Sequence, residues 1–79
     1  MNSVNLDIVK CVSEILACNE NDVSEHSGYD LTEGWDSVAH LNILMCLEKK
    51  FLVEFSEDDF IFLRTVDDLY QKIQSMLDG

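Results

Sequence analysis

The sequence predicts an all-α fold, a small four-helix bundle, and three observations carry the prediction. The 79 residues contain no proline. Apolar side chains recur at the three-to-four spacing of a helix. Two boxes of the form Ser/Thr-x-x-Asp, at Ser56–Asp59 and Thr65–Asp68, stand where helices begin. Three longer helices and one short one are expected, with a long loop between the first and second. A single domain over residues 1–79 accommodates them, without repeats or low-complexity segments.

The first helix is expected over about Val4–Ala17, with Ile8, Cys11, Val12, Ile15 and Leu16 as its apolar stripe and Ser3 or Asn5 as its cap. From Cys18 to Asp36 the periodicity stops. Asn19, Asn21, Ser24, Ser27, Gly28 and Gly34 mark a loop there. A loop that long is costly to order, so Val23, Tyr29 and Leu31 are expected to pin it to the core. The second helix, about Ser37–Lys50, carries Leu41, Leu44, Leu47 and Phe51, widened by Val38, Ile43 and Met45. Its apolar face is broad enough to leave an exposed edge near the helix start. Ser56 opens a short helix through Phe60 to Leu63. Thr65 opens the last helix, with Val66, Leu69, Tyr70, Ile73, Met76 and Leu77.

Charge and size exclude several function classes. Sixteen acidic residues against five basic ones give a formal net charge of −11. Nucleic acid and anionic membranes are repelled, and basic protein surfaces are the natural partners. No stretch is apolar over a membrane-spanning length, and no signal peptide is present. A chain this short does not readily enclose a complete catalytic apparatus. Cys11 and Cys18 would stand about two turns apart on one helix, at roughly 1.5 Å per residue, too far to bridge. With Cys46 they read as reduced thiols of a cytoplasmic protein. No C-x-x-C or H-x-x-x-H spacing points to a metal.

Gly34-Trp35-Asp36-Ser37-Val38 is the stretch that carries chemistry. Asp36 or Ser37 is expected to cap the second helix. A helix start also seats a phosphate well, because free amides and the helix dipole favour negative charge. Ser37 lacks the G-x-S-x-G setting of a nucleophilic serine. His40, three residues on, is read as a solvent-facing residue of the first turn, so no catalytic residue is assigned. Trp35 is read first as an aromatic plug on the core and second as a partner-facing indole. Glu57, Asp58 and Asp59 suit a helix N-terminus. Phe51, Phe55, Phe60 and Phe62 cluster around the short helix, as core or as walls of an apolar pocket.

These residues resemble the acyl carrier protein family, including its peptidyl carrier relatives. The resemblance runs through Gly34–Val38, Leu41, Leu44, Leu47, Glu48 and Phe51. It continues through Glu54–Asp59 and closes at Thr65–Leu69, covering nearly the whole chain. It implies a non-enzymatic carrier with 4′-phosphopantetheine attached at Ser37, where Asp36 holds the helix start and engages the transferase. The arm's thiol would bear acyl or aminoacyl groups as thioesters, for fatty-acid, polyketide, nonribosomal-peptide or related biosynthesis. The implied partners are a phosphopantetheinyl transferase, a loading enzyme and synthase or transferase enzymes, all meeting a monomer. Trp35, Val38, Leu41 and Met45 are the expected partner contacts, because the second helix is the family's recognition helix. Leu44, Phe55, Phe60 and Leu63 are the expected acyl pocket, with the phenylalanines crowding it towards a short or polar cargo.

Departures from the family pattern are also legible. Lys49 and Lys50 follow Glu48, and Asn42 stands where an acid is frequent. They suggest a dedicated pathway. Leu52 replaces a common glycine, and Ser56 a common proline. A chain opening at Met1 favours a free-standing carrier over a piece of a synthase. The alternative reading is a helical adaptor of the same fold that is never modified.

Overall fold

A computed structural model describes residues 3–78. Its helices are α1 (Ser3–Leu16), α2 (Ser37–Phe51), α3 (Glu57–Phe62) and α4 (Val66–Asp78). A single 3-10 turn, Glu20–Asp22, lies in the connection that was expected to be loop throughout. Among the described residues the nearest approach to a sheet is one isolated antiparallel bridge, between Gly28 and Thr65.

Each long helix buries one narrow set of side chains, and the three sets meet. Ile8, Cys11 and Val12 come from α1, Ile43, Leu44 and Leu47 from α2, and Val66, Leu69 and Ile73 from α4. Trp35 and Phe55 close the core from the connections. Helix α1 packs against both α2 and α4. Asn5 lies inside α1 and does not cap it, while the side chain of Ser3 falls outside the described residues.

Helices α1 and α2 end alike. Ala17 (φ 55°) and Leu52 (φ 56°) turn left-handed after the last helical residue. The amides beyond them, of Cys18 and Val53, then reach back to the carbonyls of Ser13 and Glu48 at 3.0 and 3.1 Å. The Glu48 side chain also accepts from the Phe55 amide at 2.8 Å, so this acid holds the turn into α3.

Both predicted capping boxes form. Ser56 Oγ accepts from the Asp59 amide at 3.2 Å, and Asp59 returns the bond to the Ser56 amide at 3.0 Å. Thr65 and Asp68 do the same at 3.1 and 3.2 Å. Helix α3 ends one residue early, with Leu63 as its C-cap.

The long connection is ordered by α4 as much as by the core. The amides of Val66 and Asp67 donate to the carbonyls of Ser27 and Glu25, at 2.9 and 3.0 Å. In return the Tyr29 amide donates to the Arg64 carbonyl at 2.7 Å. These bonds satisfy amides at the start of α4. They bring the two segments so close that a Cβ on Gly28 would stand 2.5 Å from that Arg64 oxygen. Val23 and Tyr29 pack on the core as expected. Leu31 does not: it is 73% exposed, and the backbone bonds do the pinning it was assigned.

Candidate functional site

Asp36, extended at ψ −171°, is the N-cap of α2, and its Oδ1 accepts from the Ala39 amide at 2.9 Å. That settles which of the two expected residues caps the helix. Ser37 is the first helical residue and is exposed, its hydroxyl relieved of capping. No acid stands in the first turn of α2. A phosphoester on Ser37 would meet the positive end of the helix dipole beside the Asp36 carboxylate that caps it.

Behind the serine lies a polar relay inside the core. Trp35 is 1% exposed, and its indole N–H donates to His40 Nδ1 at 2.9 Å. An indole nitrogen can only donate, so Nδ1 must be the bare nitrogen. His40 Nε2–H then donates to the Phe60 carbonyl at 3.1 Å. Tyr29 meets the imidazole edge-on at 5.0 Å. Burial holds the His40 pKa below its ordinary 6.5, and the Arg64 charge adds to that effect while the Phe60 bond opposes it. His40 is thus a neutral strut joining the loop, α2 and α3.

The relay corrects two expectations. His40 is 5% exposed, not solvent-facing, because the Trp35 donor and the Phe60 acceptor satisfy both ring nitrogens. Trp35 is the core plug, and its burial removes it from the expected partner contacts. With both nitrogens engaged, His40 is no general base for Ser37, and a serine hydrolase lacks its first requirement.

An open groove of about 310 Å³ lies beside Ser37, lined by Tyr29, His40, Leu41, Phe60, Ile61 and Arg64. The Arg64 guanidinium rests over the Tyr29 ring, 4.7 Å from its centroid. Among the described residues no group of three His, Cys, Asp or Glu side chains could hold a metal ion. No helix among them is long and apolar enough to cross a membrane.

Comparison with known proteins decides what this arrangement belongs to. Residues 7–73 match the model of the phosphopantetheine attachment site family. The chain is 35% identical over 72 residues to an acyl carrier protein of Chlamydia muridarum, covering 91% of this chain and 94% of that one. It is equally similar to that of Chlamydia trachomatis serovar D, and 33% identical over 73 residues to that of Chlamydia caviae (92% and 95% covered). The chain belongs to the acyl carrier protein family. Its cofactor is covalently attached 4′-phosphopantetheine, and it is a carrier, not an enzyme.

Within an acyl carrier protein, the expected pocket is only partly the groove observed. Phe60 lines it. Leu44 is fully buried and Phe55 is 6% exposed, both packed into the core, and Leu63 is half-buried against it. Phe62, expected to crowd the pocket, is 70% exposed. Tyr29, His40, Ile61 and Arg64 take part instead. Sequence spacing could not place them, since the first and last belong to the segments joined by the Tyr29–Arg64 backbone bond. Val38, Leu41 and Met45 do form an exposed apolar edge on α2, at 67%, 47% and 44%. Lys49 and Lys50 occupy its last turn.

Proposed function

We propose that Ser37 carries the 4′-phosphopantetheine arm of this acyl carrier protein. The observation that carries the reading is the division of labour at the start of α2. Asp36 caps, and Ser37 stands exposed with its hydroxyl available to another protein. Ser37 Oγ supplies the nucleophile to a phosphopantetheinyl transferase, its proton leaves to a base of that enzyme, and the nucleotide half of coenzyme A departs. The arm contributes a thiol that holds an acyl or aminoacyl group as a thioester. The chain's own part is to fix the root of the tether and raise the cargo's effective concentration at each partner.

Partners of this kind read Val38, Leu41 and Met45, the exposed edge of α2. Glu48 is engaged by the Phe55 amide, and Lys49 and Lys50 follow it, so the later part of α2 offers little acidity to a basic partner. That favours enzymes of a dedicated polyketide, nonribosomal-peptide or specialised lipid route. The groove is open and the core behind it closed by Leu44, which suits a short or polar cargo. The carrier works as a cytoplasmic monomer, repelled by nucleic acid and anionic lipid through its net charge of −11.

Incubation with coenzyme A, magnesium and a broad-specificity transferase tests the reading by intact mass. One pantetheinyl unit is expected on the native protein and none on Ser37→Ala. No gain with several transferases would make the protein an unmodified adaptor.

A further inference from the structure

Cys11 and Cys46 lie 35 positions apart in sequence, the first on α1 and the second on α2. Their Sγ atoms nevertheless stand 2.6 Å from one another. Sulfurs joined in a disulfide lie about 2.05 Å apart. Both residues sit within helices that pack on each other, and the fold already faces the two thiols. Cys11 is buried and Cys46 half-buried, while Cys18 is exposed beyond the end of α1. Sequence spacing ruled out a Cys11–Cys18 bridge, and the fold supplies a different pair.

We propose that Cys11 and Cys46 are a redox modification site, closing to an intramolecular disulfide that clamps α1 to the helix bearing Ser37. The oxidant is a low-molecular-weight disulfide. Cys46, the reachable thiol, attacks as its thiolate, forms a mixed disulfide and releases one small thiol. Cys11 then loses its proton to solvent and attacks Cys46 Sγ, expelling the second small thiol. The protein gives up two electrons and two protons, and one small disulfide becomes two thiols.

The surroundings set the order and the durability of this exchange. Burial, and then the neighbouring Cys46 sulfur, push the Cys11 thiol up to about 12. A reductant attacking from solvent meets Cys46 and must expel Cys11, a poor leaving group at that value. Opening is therefore slow, and so is closure, because the same thiol must lose its proton before it attacks Cys46. The loop it closes contains the whole Cys18–Asp36 connection and the first turns of α2, so oxidation restrains the chain around Ser37. The lined groove includes neither cysteine. The clamp needs nothing attached at Ser37.

The full chain, reduced and then equilibrated with oxidised and reduced glutathione at increasing oxidising poise, provides the test. Free thiols are alkylated and located by peptide mapping. The expected product has lost two hydrogens, contains a Cys11–Cys46 linked peptide and keeps one alkylatable thiol, Cys18. It melts several degrees above the reduced form. In Cys46→Ala the linked peptide disappears and both remaining thiols alkylate. Three free thiols across the whole range, a linkage through Cys18, or a mixed disulfide on Cys46 that never resolves would each overturn the proposal.

Discussion

His40 shows how a single side chain is fixed by what surrounds it. Its Nδ1 must accept because the Trp35 indole can only donate, and that leaves Nε2–H for the Phe60 carbonyl. Protonation would set two donors against each other at Nδ1. The folded pKa lies below 6.5, so the unfolded chain binds a proton that the folded chain resists. Stability from this residue is complete above pH 6.5 and declines as pH falls towards the depressed folded value. His40→Gln removes the titration and costs about 1–3 kcal/mol at neutral pH. Thermal denaturation of both proteins from pH 7.5 down to 5.5 should show the native protein's advantage shrinking. An advantage that grew on acidification would refute the neutral strut. His40 itself was misread from sequence. Nothing local says that a histidine in a first turn will meet an indole five positions back across a bent chain.

At the scale of elements, side-chain spacing carries part of the fold. The stripes of α1, α2 and α4 and the boxes Ser56–Asp59 and Thr65–Asp68 follow from spacings of three and four residues. The bonds that order Cys18–Asp36 do not. They join Ser27 and Glu25 to the first amides of α4, and backbone donors leave no mark on side-chain pattern. The groove beside Ser37 shares that origin, because such a bond brings Tyr29 and Arg64 together from distant parts of the chain. The Leu52 departure, by contrast, was visible and has a measurable consequence. Leu52 sits left-handed at φ 56° and is 89% exposed, so its side chain contributes little packing against an unfavourable backbone. That conformation costs a non-glycine residue about 1–2 kcal/mol, offset by the greater freedom of glycine when unfolded. Leu52→Gly is expected to raise stability by about 0.5–1 kcal/mol, or a Tm increase of about 2–6 °C by scanning calorimetry. A lower Tm would show that the exposed leucine stabilises the turn.

Across the whole molecule, acidity dominates. Sixteen acids face five bases, and the ion pairs Lys50–Asp7 and Lys72–Asp59, at 3.8 and 3.5 Å, are partly exposed and offset little of that excess. Self-repulsion acts against the compact state and is screened over a Debye length of about 10 Å at 0.1 M salt. Raising sodium chloride from about 0.01 to 0.2 M should therefore raise Tm, a trend opposite to that of a fold held by its surface ion pairs. The same field opposes nucleic acid and anionic lipid, and in the function proposed above Ser37 is where a partner enzyme modifies this chain. Fragmentation of peptides from the coenzyme A- and transferase-treated protein locates the modified residue. The whole pantetheinyl mass is expected on Ser37; the same mass on another serine, with Ser37 unmodified, would overturn the assignment.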